Sequence, residues 1–119
     1  MNMSRQNGTL SVTGPRQLNS ATADAFHSAL TTAISRDLRT IEIDLSQTQT
    51  VDGAGLGALV SLYETATEHW KLDGVRLRLT NPSPSVQQMI ELARLHHLFE
   101  IAPPAGNPDG TPAVIPFRT

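Results

Sequence analysis

The sequence predicts a small α/β sandwich whose sheet carries helices on one face only. Three observations support this. Segments of two-residue apolar period alternate with segments of helical period, in the order β-α-β-α-β-α. Each strand alternates apolar with polar residues instead of running solidly apolar, as expected when one face stays wet. Finally, 119 residues at 39% hydrophobic and 17% charged suffice for one core without disulfides or metals.

The elements follow in order. "TLSVT", residues 9–13, alternates Leu10 and Val12 with polar neighbours, and Gly14-Pro15 ends the ladder. One extra strand ahead of it is left open. "NSATADAFHSALTTAISRDL" reads as a helix capped by Asn19 or Ser20, with Phe26, Leu30, Ala33 and Ile34 on one face. "TIEIDLS", residues 40–46, sets Ile41, Ile43 and Leu45 to one side. A helix starts near Gly55, with Leu56, Leu59, Val60, Tyr63, Ala66 and Trp70 at i, i+3, i+4 spacing, and Gly74 is placed to stop it. "VRLRLT", residues 75–80, alternates again. In "NPSPSVQQMIELARL", Ser83 is the expected cap and Pro84 the first helical residue, with Val86, Met89, Ile90 and Ala93 as the apolar stripe. "HLFEI" is either a short last strand or a packed end. From Ala102 onward proline and glycine recur throughout, with no helix or sheet period.

Composition removes several functional classes. A formal charge of −2 offers no basic footprint for nucleic acid. No apolar run approaches the roughly 20 residues of a membrane span, and the N-terminus lacks a signal-peptide core, so a cytoplasmic location is expected. Zero cysteines leave no thiolate nucleophile and no cysteine metal site. His27, His69, His96 and His97 show no ligand spacing; the adjacent last two are expected to diverge by about 100° on a helix.

The strand-to-helix corner "VDGAGLGALV", Val51 to Val60, is the one candidate site. A serine elbow would need a hydroxyl at its tip, where this chain has Ala54. A phosphate loop would need a lysine and a hydroxyl that "GAGLGAL" lacks. Asp52 is expected to cap the helix, accepting a backbone N–H near Ala54 or Gly55. Asp44 lies on the polar side of its strand, facing solvent or a neighbouring loop. No enzyme, cofactor or metal is expected.

"TADAFHSAL", "IEIDLSQTQTVDGAGLGALVSLYETA", "VRLRLTNPSPSVQQMIELARL" and "LFEI" together resemble the STAS domain family, in its anti-sigma factor antagonist form. The most specific piece is "DLS" followed by "VDGAGLGAL", similar to the family's "DLS…DSSGLGAL". The resemblance implies a mixed four- to five-stranded sheet with helices on one side. It divides the chain into a flexible N-terminus at 1–8, a STAS domain at 9–101 and a tail at 102–119. It also implies partner switching: binding of an anti-sigma factor that is a GHKL-type serine kinase, turned off by a phosphate at the start of the second helix. The phosphorylated hydroxyl matches Ala54 and its frequent hydroxyl neighbour matches Gly53, so the usual switch is absent. Asn19 replaces a frequent aspartate, and Arg94 stands where glycine often ends the third helix. The docking surface is expected to comprise Asp52, Gly53, Ala54, Gly55, Leu56, Ala58, Leu62 and Asn19, with Ala58 and Leu62 exposed. Two other readings stay open: a STAS subunit of a lipid-transport ATPase assembly, and a module sensing a nucleotide or small anion beside the turn.

Overall fold

Strands that are apolar on one side require a helical layer on that side alone, and the computed structural model has this arrangement. It describes residues 2–35, 37–69 and 75–102, with the backbone only at His69. The chain runs β1 (Met3–Gln6), β2 (Thr9–Thr13), β3 (Gln17–Leu18), α1 (Ala23–Ala33), β4 (Thr40–Asp44), β5 (Thr50–Val51), α2 (Gly53–Glu64), β6 (Arg76–Thr80), α3 (Pro84–Leu92) and β7 (Glu100–Ala102). The main sheet has the order β1-β2-β4-β6-β7, antiparallel between β1 and β2 and parallel elsewhere. It is thus a mixed sheet of five strands, within the four to five that the resemblance implies.

Register aligns the apolar residues into rows, Leu10–Ile41–Leu77 and Val12–Ile43–Leu79, all buried beneath the helices. Phe26 and Leu30 of α1, Leu59 and Leu62 of α2, and Val86 and Ile90 of α3 close this core. Each fully buried side chain of this size contributes about 1.5–3 kcal/mol. The opposite face holds the intervening polar row Ser11–Glu42–Arg78–Glu100. There Arg78 pairs with Glu42 and approaches Glu100 at 3.5 Å, while Arg76 grips Glu100 in a fork at 2.9 and 2.8 Å. A face of linked charges has no need of an apolar cover.

Several expectations change. Met3–Gln6, inside the stretch assigned to the N-terminus, is the extra strand that the sequence left open, held by the two-residue turn Asn7–Gly8, whose φ values of 54° and 80° are both left-handed. Such a turn matches the twist of a hairpin. Ala102 belongs to β7 and not to the tail. The N-cap position of α1 is Thr22, not Asn19 or Ser20, and its side chain makes no cap; the Thr22 hydroxyl instead donates to the Gln17 carbonyl at 2.6 Å. Beyond Glu64 the second helix widens into a π-helical turn, Thr65–His69. His96 and His97 do not diverge: they lie in a short 3₁₀ turn with ring centroids 4.3 Å apart. Trp70, Gly74 and residues 103–119 lie outside the described residues.

Candidate functional site

The corner at Val51–Val60 is built by a second, two-stranded sheet. β3 and β5 pair in parallel, Gln17 with Thr50 and Leu18 with Val51, which brings the approach to α1 against the approach to α2. The Asp52 N–H continues this ladder to the Leu18 carbonyl at 3.1 Å. Here the chain turns from strand to helix. Asp52 keeps an extended backbone, and its Oδ1 accepts the Gly55 N–H at 3.0 Å, a good N-cap for one of the helix's free donors.

The three glycines that follow differ in kind. Gly55 is buried against β3, and a Cβ there would lie 2.2 Å from the Leu18 carbonyl oxygen and 2.8 Å from Leu18 Cγ. Only glycine lets the helix approach the strand this closely. Gly53 and Gly57 are exposed, and a Cβ on either would meet no atom within 4 Å. Neither has the positive φ that would favour glycine. Gly53, Ala54 and Gly57 therefore form a bare strip along the start of α2, one helical turn apart at its ends.

The expected docking residues divide accordingly. Asp52, Gly53 and Ala54 are exposed and adjacent; Leu56 is partly covered. Asn19 stands beside the turn, directly after Leu18, but its side chain is engaged at home: Oδ1 accepts the Ala21 N–H at 2.9 Å. Ala58 and Leu62 are not exposed, with relative accessibilities of 7% and 0%. α2 packs against α1 as well as the sheet, so its buried surface extends well beyond a single stripe. Gly57, absent from the expected set, is the residue that completes the exposed strip. Its spacing, four residues after Gly53 on the same helical face, was the available signal.

Elsewhere the chemistry is sparse. Asp44 accepts the Ser46 N–H at 2.9 Å and the Asn81 amide at 3.2 Å. Partial burial pushes its carboxyl up, but these hydrogen bonds outweigh burial and hold it below the usual carboxylate range. Asp44 and Asp52 serve different loops and make no shared site. Among the described residues no cluster of three histidine or acidic side chains is placed to hold a metal, and no helix is long and apolar enough to cross a membrane.

A family model described as "STAS domain" matches residues 1–106. Among solved structures, an anti-sigma factor antagonist from Mycobacterium paratuberculosis superposes with a TM-score of 0.73 at 22% identity, covering 87% of this chain and 85% of that one. SpoIIAA of Bacillus, an anti-sigma factor antagonist in its unphosphorylated form, gives 0.68 at 17% identity over 96% of this chain and 97% of its own. The STAS domain of a SulP transporter from Vibrio cholerae gives 0.58 at 15% identity over 84% and 77%. None of the curated proteins compared matches the chain. At these identities the likenesses establish the fold.

Proposed function

The chain belongs to the STAS domain family, and from that premise we propose that it is a partner-binding protein of the anti-sigma factor antagonist type, without the usual phosphate switch. The observation that supports this is the bare strip Gly53–Ala54–Gly57. Glycine costs a helix about 0.5–1 kcal/mol relative to alanine at each interior position. The fold needs Gly55 for close packing but makes no such demand at Gly57, which is interior, or at Gly53, the first helical residue, where that cost is smaller. A surface that leaves helix stability unused, at the exposed tip of a rigid corner, fits close approach by another protein.

The partner class is an anti-sigma factor with GHKL-type kinase activity. Such a partner phosphorylates a hydroxyl at this turn in switchable antagonists; here the tip is the methyl group of Ala54. Docking is then constitutive, and the protein itself performs no catalysis. The site is read as Asp52, Gly53, Ala54, Gly57 and the exposed edge of Leu56.

The test is binding by calorimetry to candidate anti-sigma kinases, with and without prior incubation with ATP and magnesium. The expected result is one complex of unchanged affinity and an intact mass without added phosphate. Ala54→Glu is expected to weaken the complex at least tenfold, about 1.4 kcal/mol, by placing a charge in the contact. Stoichiometric phosphate that abolishes binding would overturn constitutive docking; absence of any complex would overturn the partner class.

A further inference from the structure

We propose that the free edge of β1 is a self-association edge, by which two copies of this chain join antiparallel in one register to extend a common sheet. β1 is the first strand of the sheet, and among the described residues nothing pairs with its outer side. The ladder determines which of its groups face outward. The Thr13 N–H donates to the Asn2 carbonyl at 2.8 Å, so Asn2–Thr13 is a hydrogen-bonded pair, and by alternation so are Ser4–Ser11 and Gln6–Thr9. The peptide groups of Met3 and Arg5 therefore point away from β2.

Side-chain parity narrows the partner strand further. Met3 and Arg5 pair with the buried-side residues Val12 and Leu10, while Ser4 and Gln6 lie on the polar face. A twofold axis normal to the sheet keeps each face on its own side, so paired positions must share parity. Centring on Ser4 satisfies this. Met3 then faces Arg5 of the second copy, and Arg5 faces its Met3. Each pair exchanges two backbone bonds, so all four outward groups of the two residues in each copy are used. Centring on Arg5 would oppose two guanidinium groups, and centring on Met3 leaves the Arg5 groups without a described partner.

The edge is also ready to receive a strand. It has no proline and no bulge, and its one charged residue, Arg5, turns its head away from the approach. The Arg5 head is drawn back toward α1, donating to the Ala33 carbonyl at 3.3 Å and to the Ser35 hydroxyl, which leaves its stem beside the approaching chain. Met3, one of two large exposed apolar residues among those described, has 38% of its surface accessible and would be covered by that stem. At the other edge β7 is three residues long, carries Glu100, and is followed in sequence by Pro103 and Pro104, which have no N–H to offer.

A four-residue pairing buries less than the roughly 1,000 Å² of a stable interface, so a dissociation constant between about 10 μM and 1 mM is expected. Sedimentation velocity of the 119-residue chain across that range tests it, paired with amide exchange at low and high concentration. Dimer should form, with protection gained at the Met3 and Arg5 amides and little change at Ser4 and Gln6. Met3→Lys sets two like charges opposite the Arg5 residues and should weaken the dimer about tenfold, whereas Met3→Glu should tighten it by a similar factor. Both variants should keep the parent's circular dichroism and dilute melting temperature, since Met3 is partly exposed. A chain that stays monomeric at about 1 mM, or a dimer indifferent to the charge at residue 3, would overturn the proposal.

Discussion

Replacing Gly57 by alanine separates what the fold requires from what recognition requires. Gly57 lies inside α2 with right-handed backbone, and the new Cβ meets no atom within 4 Å. The only folding terms are then helix entropy and backbone shielding, which favour alanine by about 0.5–1 kcal/mol. For a domain of about 100 residues that raises the melting temperature by about 2–8 °C. Gly55→Ala is the counterpart. Its Cβ would sit 2.2 Å from the Leu18 carbonyl oxygen, so helix or strand must shift, and overpacking of this kind costs about 1–3 kcal/mol. Urea unfolding of the two variants should therefore move the midpoint in opposite directions with unchanged slope. If the bare strip is a contact, Gly57→Ala should also bind an anti-sigma partner less tightly while being more stable. A Gly57→Ala protein that loses stability would refute the reading of open space. One that gains stability and binds as before would refute the strip as a contact.

Other outcomes follow from the same geometry. Asp52→Ala removes the acceptor for the Gly55 N–H and should lower stability by about 1 kcal/mol in urea unfolding. Arg94 holds a left-handed backbone at φ 61° just past α3; Arg94→Gly should raise stability by about 1 kcal/mol, read from the same midpoint. The Asp44 carboxyl lies below its ordinary value of 3.8 in the fold, so its stabilising contribution is present above that value and is lost as pH falls through the folded one. Asn81→Ala, by removing one of its donors, should reduce stability at neutral pH and flatten the acid limb of a stability-against-pH curve. An unchanged acid limb would assign the depression to Ser46 alone.

The parts of the fold legible in the sequence are those written as hydrophobic period. β2, β4 and β6 alternate, and α3 begins at Ser83 and Pro84, where the Ser83 hydroxyl accepts the Val86 N–H at 3.3 Å. β1 stayed an open possibility because all four residues are exposed and none carries a period; its evidence was the neighbouring Asn7–Gly8 pair, a turn signal and not a strand signal. β3 and β5, two residues each, are too short to show a period, yet they set the corner. Ala58 and Leu62 were misplaced because a stripe was sought on a helix that is covered by α1 as well as by the sheet. Asp52 as a cap was readable from residue type and position alone. Which glycine was structural was not, since that depends on Leu18, far away in sequence.

The contact between Gly55 and Leu18 also bears on how this surface can change over time. Residue 55 is frozen by its own backbone surroundings, whereas positions 53 and 57 accept a Cβ that meets nothing outside the helix. Random substitution there runs downhill in folding energy, since nearly any helix former outdoes glycine. If the strip is a contact, recognition opposes that drift. Should such a partner be lost, both glycines would give way to side chains; should a new partner appear, its specificity could be written at these two positions without touching the core.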